Sequence, residues 1–345
     1  MSSTPHGSQG ADGPLSGETA AGDSNQDGDY RESVLAPLEH VRPRTLITLI
    51  AGLAAAYILV GQLSKVSLHA ILARADWRWS LLAVLLSLLT YTGASLQLAG
   101  FVLERLDPVR TFMAQVAASF MLLVAPAAVG GVGLNLRFLY KAKVRPADAA
   151  ASIGLSQAVA FVVHVLLLLI FAATTRTAGS SSLRPPGWVW ISLAVVTAIM
   201  LAVAAFPAGR RILRARLAPA FGQIIPRLRA VARHPANLAE GVSGALLVTF
   251  AYIFCLAACA LALGGSAPLP SVAVVYLTSS AIAAAVPTPG GLGTTEAALS
   301  AGLAAAGMPG AKAVSAALLF RLVTFWLPVP AGWLALNYLQ RKDAL

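Results

Sequence analysis

Two charged side chains sit where the chain is otherwise apolar. From Gly241 to Thr295 the sequence has no Lys, Arg, Asp or Glu, and then comes Glu296. Arg321 is the single charge between Lys312 and Arg341. Ionisable residues at membrane depth are expensive and mark ion, proton or substrate pathways. At the start of a helix a carboxylate complements the positive helix end; it can also exchange a proton or grip a cationic headgroup. An arginine beside it closes a structural ion pair or, when the pair opens, receives a phosphate, which its planar fork fits well. Both readings stay open for both residues. If the outer turn lies at Met308–Lys312, a rise of 1.5 Å per residue places them about 18 and 14 Å deep, so they can meet.

What must hold them is a broken helix. Just before Glu296 the sequence reads "AVPTPGGLGTT", with Pro287, Pro289, Gly290, Gly291 and Gly293. In hydrocarbon, a break is tolerated only where protein or a wet cavity satisfies the backbone, so an enclosed or wet site is expected here. A dinucleotide or P-loop reading fails, because no strand precedes the glycines and no Gly-Lys-Ser/Thr follows.

The rest of the chain is built to be embedded. Of 345 residues, 57% are hydrophobic and 11% charged, and mean hydropathy is +0.75. Soluble domains carry about a quarter charged residues, so this is a polytopic, all-α membrane protein. Uncharged runs long enough to span occur at Thr45–Ser64, Trp79–Leu103, Thr111–Leu136, Ala149–Thr175 and Pro185–Gly209, with further elements after Gly241. Residues 1–40 hold seven of the fourteen acidic residues and read as a disordered cytoplasmic tail. No basic start, short apolar core and cleavage site precede the first span, so it is expected to serve as its own insertion signal. Cys255 and Cys259, one helical turn apart, read as small core hydrophobes, and no metal or cofactor is expected. The net charge of +11 lies between spans and points to anionic headgroups as partners, with no nucleic acid.

Charge also sets the sides. Seven arginines lie between Arg210 and Arg233; this basic stretch, 210–238, is expected at the cytoplasmic interface, either as helices lying on the leaflet or as a solvated loop. Counting back puts Arg105, Arg110 and Lys141–Arg145 on the same side, which requires Thr111–Ala125, "PAAVGGVG" (126–133) and a short return helix to form a re-entrant hairpin. Seventeen basic residues then fall inside and six outside, with both termini cytoplasmic. The glycines of the first break, Gly130, Gly131 and Gly133, recur 160 residues later as Gly290, Gly291 and Gly293. Each half reads span, span, broken hairpin, span, and three crossings separate the hairpins. The expected architecture is therefore an inverted repeat of three transmembrane helices plus one re-entrant hairpin per half. Its parts are 41–175, a first span of the second half at 185–209, the basic loop, and 239–340. Arg137 is a further phosphate contact or an ordinary inside-positive residue. His164 reads as a hydrogen-bonded core histidine. Asn135, Gln157 and Thr288 are possible cavity lining.

"PTPGGLGTTEAAL", followed by "AVSAALLFRLVTFWLPVPAGWLAL", resembles the carboxy-terminal signature of the lysylphosphatidylglycerol synthetase transmembrane, or flippase-like, integral membrane family. Pro287, Pro289, Gly290, Gly291, Gly293, Glu296 and Arg321 match that signature, and the resemblance covers roughly residues 45–340. The first half departs: "GLNLR" keeps Arg137 but has Leu134 where members often carry Glu, and an Arg/Asp pattern is missing around "LSQAVAFVVH". The resemblance implies a bacterial inner-membrane protein associated with moving lipids or lipid-linked headgroups between leaflets. It does not imply lysyl-lipid synthesis, which needs a large soluble aminoacyl-transfer domain, and this chain ends at Leu345; no enzymatic activity is expected. A flippase or scramblase is the leading expectation. A small-solute or proton-coupled transporter, or a non-catalytic partner of a lipid-modifying enzyme or glycosyltransferase, is the alternative.

Overall fold

A few polar caps decide where the helices start. Asp76 accepts the Arg78 N–H at 2.9 Å and opens α1, Trp77–Phe101. Asp107 accepts the N–H groups of Val109 and Arg110 at 2.9 and 3.0 Å and opens α2, Pro108–Val124. Each is an acidic N-cap satisfying donors that have no intrahelical partner. Then follow α3, Val129–Lys141, and α4, Pro146–Thr177. The second series is α5, Pro235–Ala262; α6, Leu269–Ala285; α7, Thr294–Ala305; and α8, Gly310–Arg321. A π-helical turn, Leu322–Trp326, carries α8 into α9, Pro328–Arg341.

These elements come from a computed structural model, which describes residues 75–124, 129–177, 226–285, 291, 293–342 and 344–345. The described residues are helical and contain no strand. Among the described residues, four helices are long and apolar enough to cross a membrane: Trp77–Phe101, Pro146–Thr175, Pro235–Ala262 and Gly310–Arg341. The expected spans at Thr45–Ser64 and Pro185–Gly209, the tail, and most of the basic loop lie outside the described residues.

The two series match element by element. Lengths run 25, 17, 13 and 32 residues in the first. They run 28, 17 and 12 in the second, closed by the 32-residue Gly310–Arg341 segment. The long helices α1 and α5 pack antiparallel. Asp76 N–H donates to Ala262 O at 2.7 Å near one end, and the Cys255 thiol to Ala83 O at 3.4 Å further along. Gly100 meets Gly241 and Asn237 at the far end. A Cβ on Gly100 would fall 2.2 Å from the Gly241 nitrogen, and one on Gly244 2.3 Å from the Gln97 nitrogen. Only glycine permits this approach.

Each series also holds a pair of short helices. Gln115 donates to Asn135 at 3.0 Å, and Gly131 faces Ala118, so α2 and α3 run antiparallel. Gly302 faces Val275 and Gly291 faces Ala283, so α6 and α7 do the same. None of these helices exceeds 17 residues, about 25 Å, which is short of a hydrocarbon core of about 30 Å. The packing is reciprocal as well. In the first direction α2 lies on α9, where Ser119 hydroxyl donates to Pro328 O at 3.3 Å; in the second α6 lies on α4, where His164 reaches Leu277 O at 3.0 Å.

One expectation needs correction. The break expected over 126–133 is narrower: Gly130, Gly131 and Gly133 already belong to α3, and residues 125–128 lie outside the described residues. Glycine in a helix interior costs about 1 kcal/mol relative to alanine, and neither Gly131 nor Gly133 is held there by a close approach. Gly291 and Gly293 behave differently: their φ angles of 68° and 82° lie in the left-handed region, which side chains other than glycine rarely adopt.

Candidate functional site

The turn before α7 is tied by its own side chains. Thr294 and Thr295 hydroxyls both donate to Gly291 O, at 3.1 and 2.9 Å. Gly293 then takes the N-cap position, and Ala297 N–H donates to its carbonyl at 3.0 Å. Having no side chain, Gly293 cannot cap the helix. Glu296 supplies the missing acceptor, taking the Gly293 N–H on Oε2 at 2.7 Å. This is the acidic half of a capping box.

The other oxygen of Glu296 faces Arg321. Nε of Arg321 donates to Oε1 at 2.9 Å, and the two side chains are 10% and 15% exposed. The carboxylate thus joins a helix N-terminus to a buried guanidinium. The Arg321 Cζ lies 4.2 Å from the centre of the Phe325 ring, a cation–π contact. Phe320, the residue before the arginine, meets Tyr252 and Tyr276 edge-on at 6.2 and 6.1 Å, while those two rings stack at 5.5 Å.

Why the helix widens just after Arg321 follows from Pro328. Proline has no N–H and its ring clashes with the carbonyl four residues back. The chain responds with an i→i+5 bond from Leu327 N–H to Leu322 O at 2.8 Å. In that register the next donor, for Val323 O, would be Pro328, which has none. Ser87 hydroxyl of α1 fills the vacancy at 3.0 Å, fully buried. Single π turns occur often at functional positions; here the turn sets Phe325 under Arg321 and ties both to α1.

Of the residues singled out by sequence, Glu296, Arg321, Gly291 and Gly293 come together. Pro287, Thr288, Pro289 and Gly290 lie outside the described residues. Gly130 and Gly131 are on α3, and Arg137 is exposed on the same helix. Asn135 accepts from Gln115, and Gln157 is exposed on α4. His164 bonds Leu277 O, with Ser280 hydroxyl at 3.3 Å from the same ring nitrogen. Cys255 and Cys259 are buried free thiols.

Sequence reasoning missed a second ion pair. Arg227 donates to Glu104 Oε2 at 2.8 Å and to Ser152 Oγ at 3.0 Å. Nothing in a run of seven arginines marks one as buried. The only usable sign is Val231 four residues on, which puts one apolar and one basic residue on the same helical face.

The family described as the lysylphosphatidylglycerol synthase TM region matches residues 45–332, most of the chain. The chain belongs to that family. It is also similar to a UPF0104 membrane protein of Pyrococcus horikoshii, 42% identical over 72 residues. That match spans 22% of the relative and 21% of this chain, so it shows local kinship. Family membership and four helices of spanning length identify an integral membrane protein.

Proposed function

We propose that this chain is a flippase- or scramblase-like transporter that carries a polar headgroup, or a lipid-linked group, between the leaflets of the bacterial inner membrane. The observation that carries the reading is the buried Glu296–Arg321 pair at the start of a short broken helix. A buried pair is weak evidence for stability, since desolvation can exceed the attraction; its retention at depth favours a role in transport. An anionic headgroup that reaches Arg321 competes with Glu296, and the carboxylate then releases or takes up a cation or proton.

The reading includes an inverted-topology architecture, supported by the matched element lengths, the antiparallel α1 and α5, and the reciprocal packing of α2 on α9 and α6 on α4. The short pairs α2–α3 and α6–α7 would then be re-entrant hairpins entering from opposite sides. Both termini would be cytoplasmic, following the excess of basic residues on that side. Solute or proton-coupled transport through the same fold is the second reading, supported by the carboxylate at depth. A non-catalytic role beside a separate lipid-modifying enzyme or glycosyltransferase is the third.

Proteoliposomes containing the purified chain and fluorescent phosphatidylglycerol test the proposal. Dithionite quenches only outer-leaflet label, so flipping appears as quenching beyond the outer fraction. An outer fraction equal to that of protein-free vesicles sinks the lipid reading.

A further inference from the structure

Just before the membrane-length helix α5, residues 226–232 are helical, and their three faces differ. Arg227 and Val231 face the protein. Arg227 is held by Glu104 and Ser152, and Val231 is fully buried in a cluster with Phe101 and Leu155. Leu228 and Ala232 make the next face, both exposed, with Leu228 at 42%. Arg229 and Arg233 make the third, also exposed; the Arg233 N–H donates to Arg229 O at 3.2 Å, which sets them one turn apart on one side.

Three acids of the described residues are already engaged, while Glu240, in the second turn of α5, makes no ion pair with Arg229 or Arg233. Asp107 caps α2 and approaches Arg110 at 3.9 Å, Asp148 pairs with Arg145 at 2.8 Å, and Glu104 holds Arg227. Among the described residues, Arg229 and Arg233 make no ion pair. α5 starts at Pro235 and is long enough to span, so with α5 read as a span this helix falls at the membrane surface. An exposed leucine beside paired arginines matches the composition of an interfacial helix.

We propose that this helix is a binding surface for anionic phospholipid, separate from the Glu296–Arg321 site. Arg229 and Arg233 receive headgroup phosphate, Leu228 enters the acyl boundary, and the Glu104–Arg227–Ser152 clasp presets the helix on the protein. Arginine forks suit phosphate oxygens through paired N–H donors. Each basic residue near an anionic surface raises association about fivefold.

The test uses the full chain in phosphatidylcholine nanodiscs doped with spin-labelled phosphatidylglycerol or spin-labelled phosphatidylcholine, reading the immobilised fraction. Wild type should immobilise phosphatidylglycerol several-fold more than phosphatidylcholine, and R229Q/R233Q should lose most of that preference with an unchanged melting temperature. The charge-matched control R341Q/K342Q should keep it. E104Q should reduce it with both arginines intact. Equal preference in wild type and R229Q/R233Q overturns the proposal, and so do equal losses in the two double variants, which would mean bulk charge alone. Removal of the preference by millimolar inorganic phosphate also overturns it, since the surface would then be a site for free phosphate. An unchanged preference in E104Q refutes the clasp.

Discussion

Two Arg–Glu pairs in this molecule have nearly the same length, 2.9 Å for Arg321–Glu296 and 2.8 Å for Arg227–Glu104, and quite different surroundings. At the first, both side chains are withdrawn from solvent, 10% and 15% exposed. At the second the arginine is 8% exposed and the carboxylate 39%. Distance alone therefore ranks them as equals, while burial separates them. The interior pair carries the desolvation of two ions and ties a helix N-terminus to a π turn. The peripheral pair desolvates one ion and clasps a surface helix to the body.

The sharpest way to break this contrast is to strand a charge. Arg321→Ala leaves Glu296 without its cation, and the loss should be about 3–5 kcal/mol in denaturant titration in micelles, with flipping abolished. A loss no larger than that of Glu104→Gln would erase the difference between the sites. Gly100→Ala comes next. Its Cβ would overlap the Gly241 backbone where α1 meets α5, costing about 1–3 kcal/mol. Glu104 follows α1 and Arg227 precedes α5, so the peripheral pair should suffer and the interior one survive; crosslinking yields between cysteines placed at 104 and 227 would show it.

Smaller effects sharpen the comparison. Glu296→Gln keeps an acceptor for the Gly293 N–H, so folding should persist while flipping falls roughly tenfold, about 1.4 kcal/mol of barrier. Wild-type rates in that variant would reduce Glu296 to a helix cap. Glu104→Gln leaves Arg227 with a neutral acceptor and Ser152 as partners, and should cost about 1–3 kcal/mol, less than Arg321→Ala. Salt orders the two pairs as well. Raising it from about 0.05 to about 0.5 M should weaken the coupling between Glu104 and Arg227 in a double-mutant cycle and leave that of Glu296 and Arg321 nearly unchanged, because screening acts mainly on exposed charges.

Much of this was legible in the sequence for one reason: in a membrane-like chain, charge and glycine are conspicuous. Glu296 and Arg321 stood out because nothing near them is charged, and helical rise alone brought them to similar depth. The spans at α1, α4, α5 and Gly310–Arg341 follow from hydropathy. What stayed hidden depends on tertiary contact. The two glycine clusters look alike as text, but Gly130, Gly131 and Gly133 lie inside a helix while Gly291 and Gly293 adopt positive φ. Arg227 is one arginine among seven until Glu104 and Ser152 approach it. Ser87 carries no signal at all until Pro328 leaves a carbonyl without a donor.

The glycine contact between α1 and α5 has a mechanical consequence. At Gly100 and Gly244 backbone approaches backbone, and the Phe101 ring and the Val248 side chain close over Gly241 and Gly93, which leaves little room for the helices to slide. The two helices act as a single stiff spar, with Cys255 reaching across to Ala83 between them. Under the proposed transport, an alternation of access between leaflets would leave that spar intact. The moving parts of that proposal would be the short paired helices, with Glu296 on one of them and Arg321 on the helix it meets.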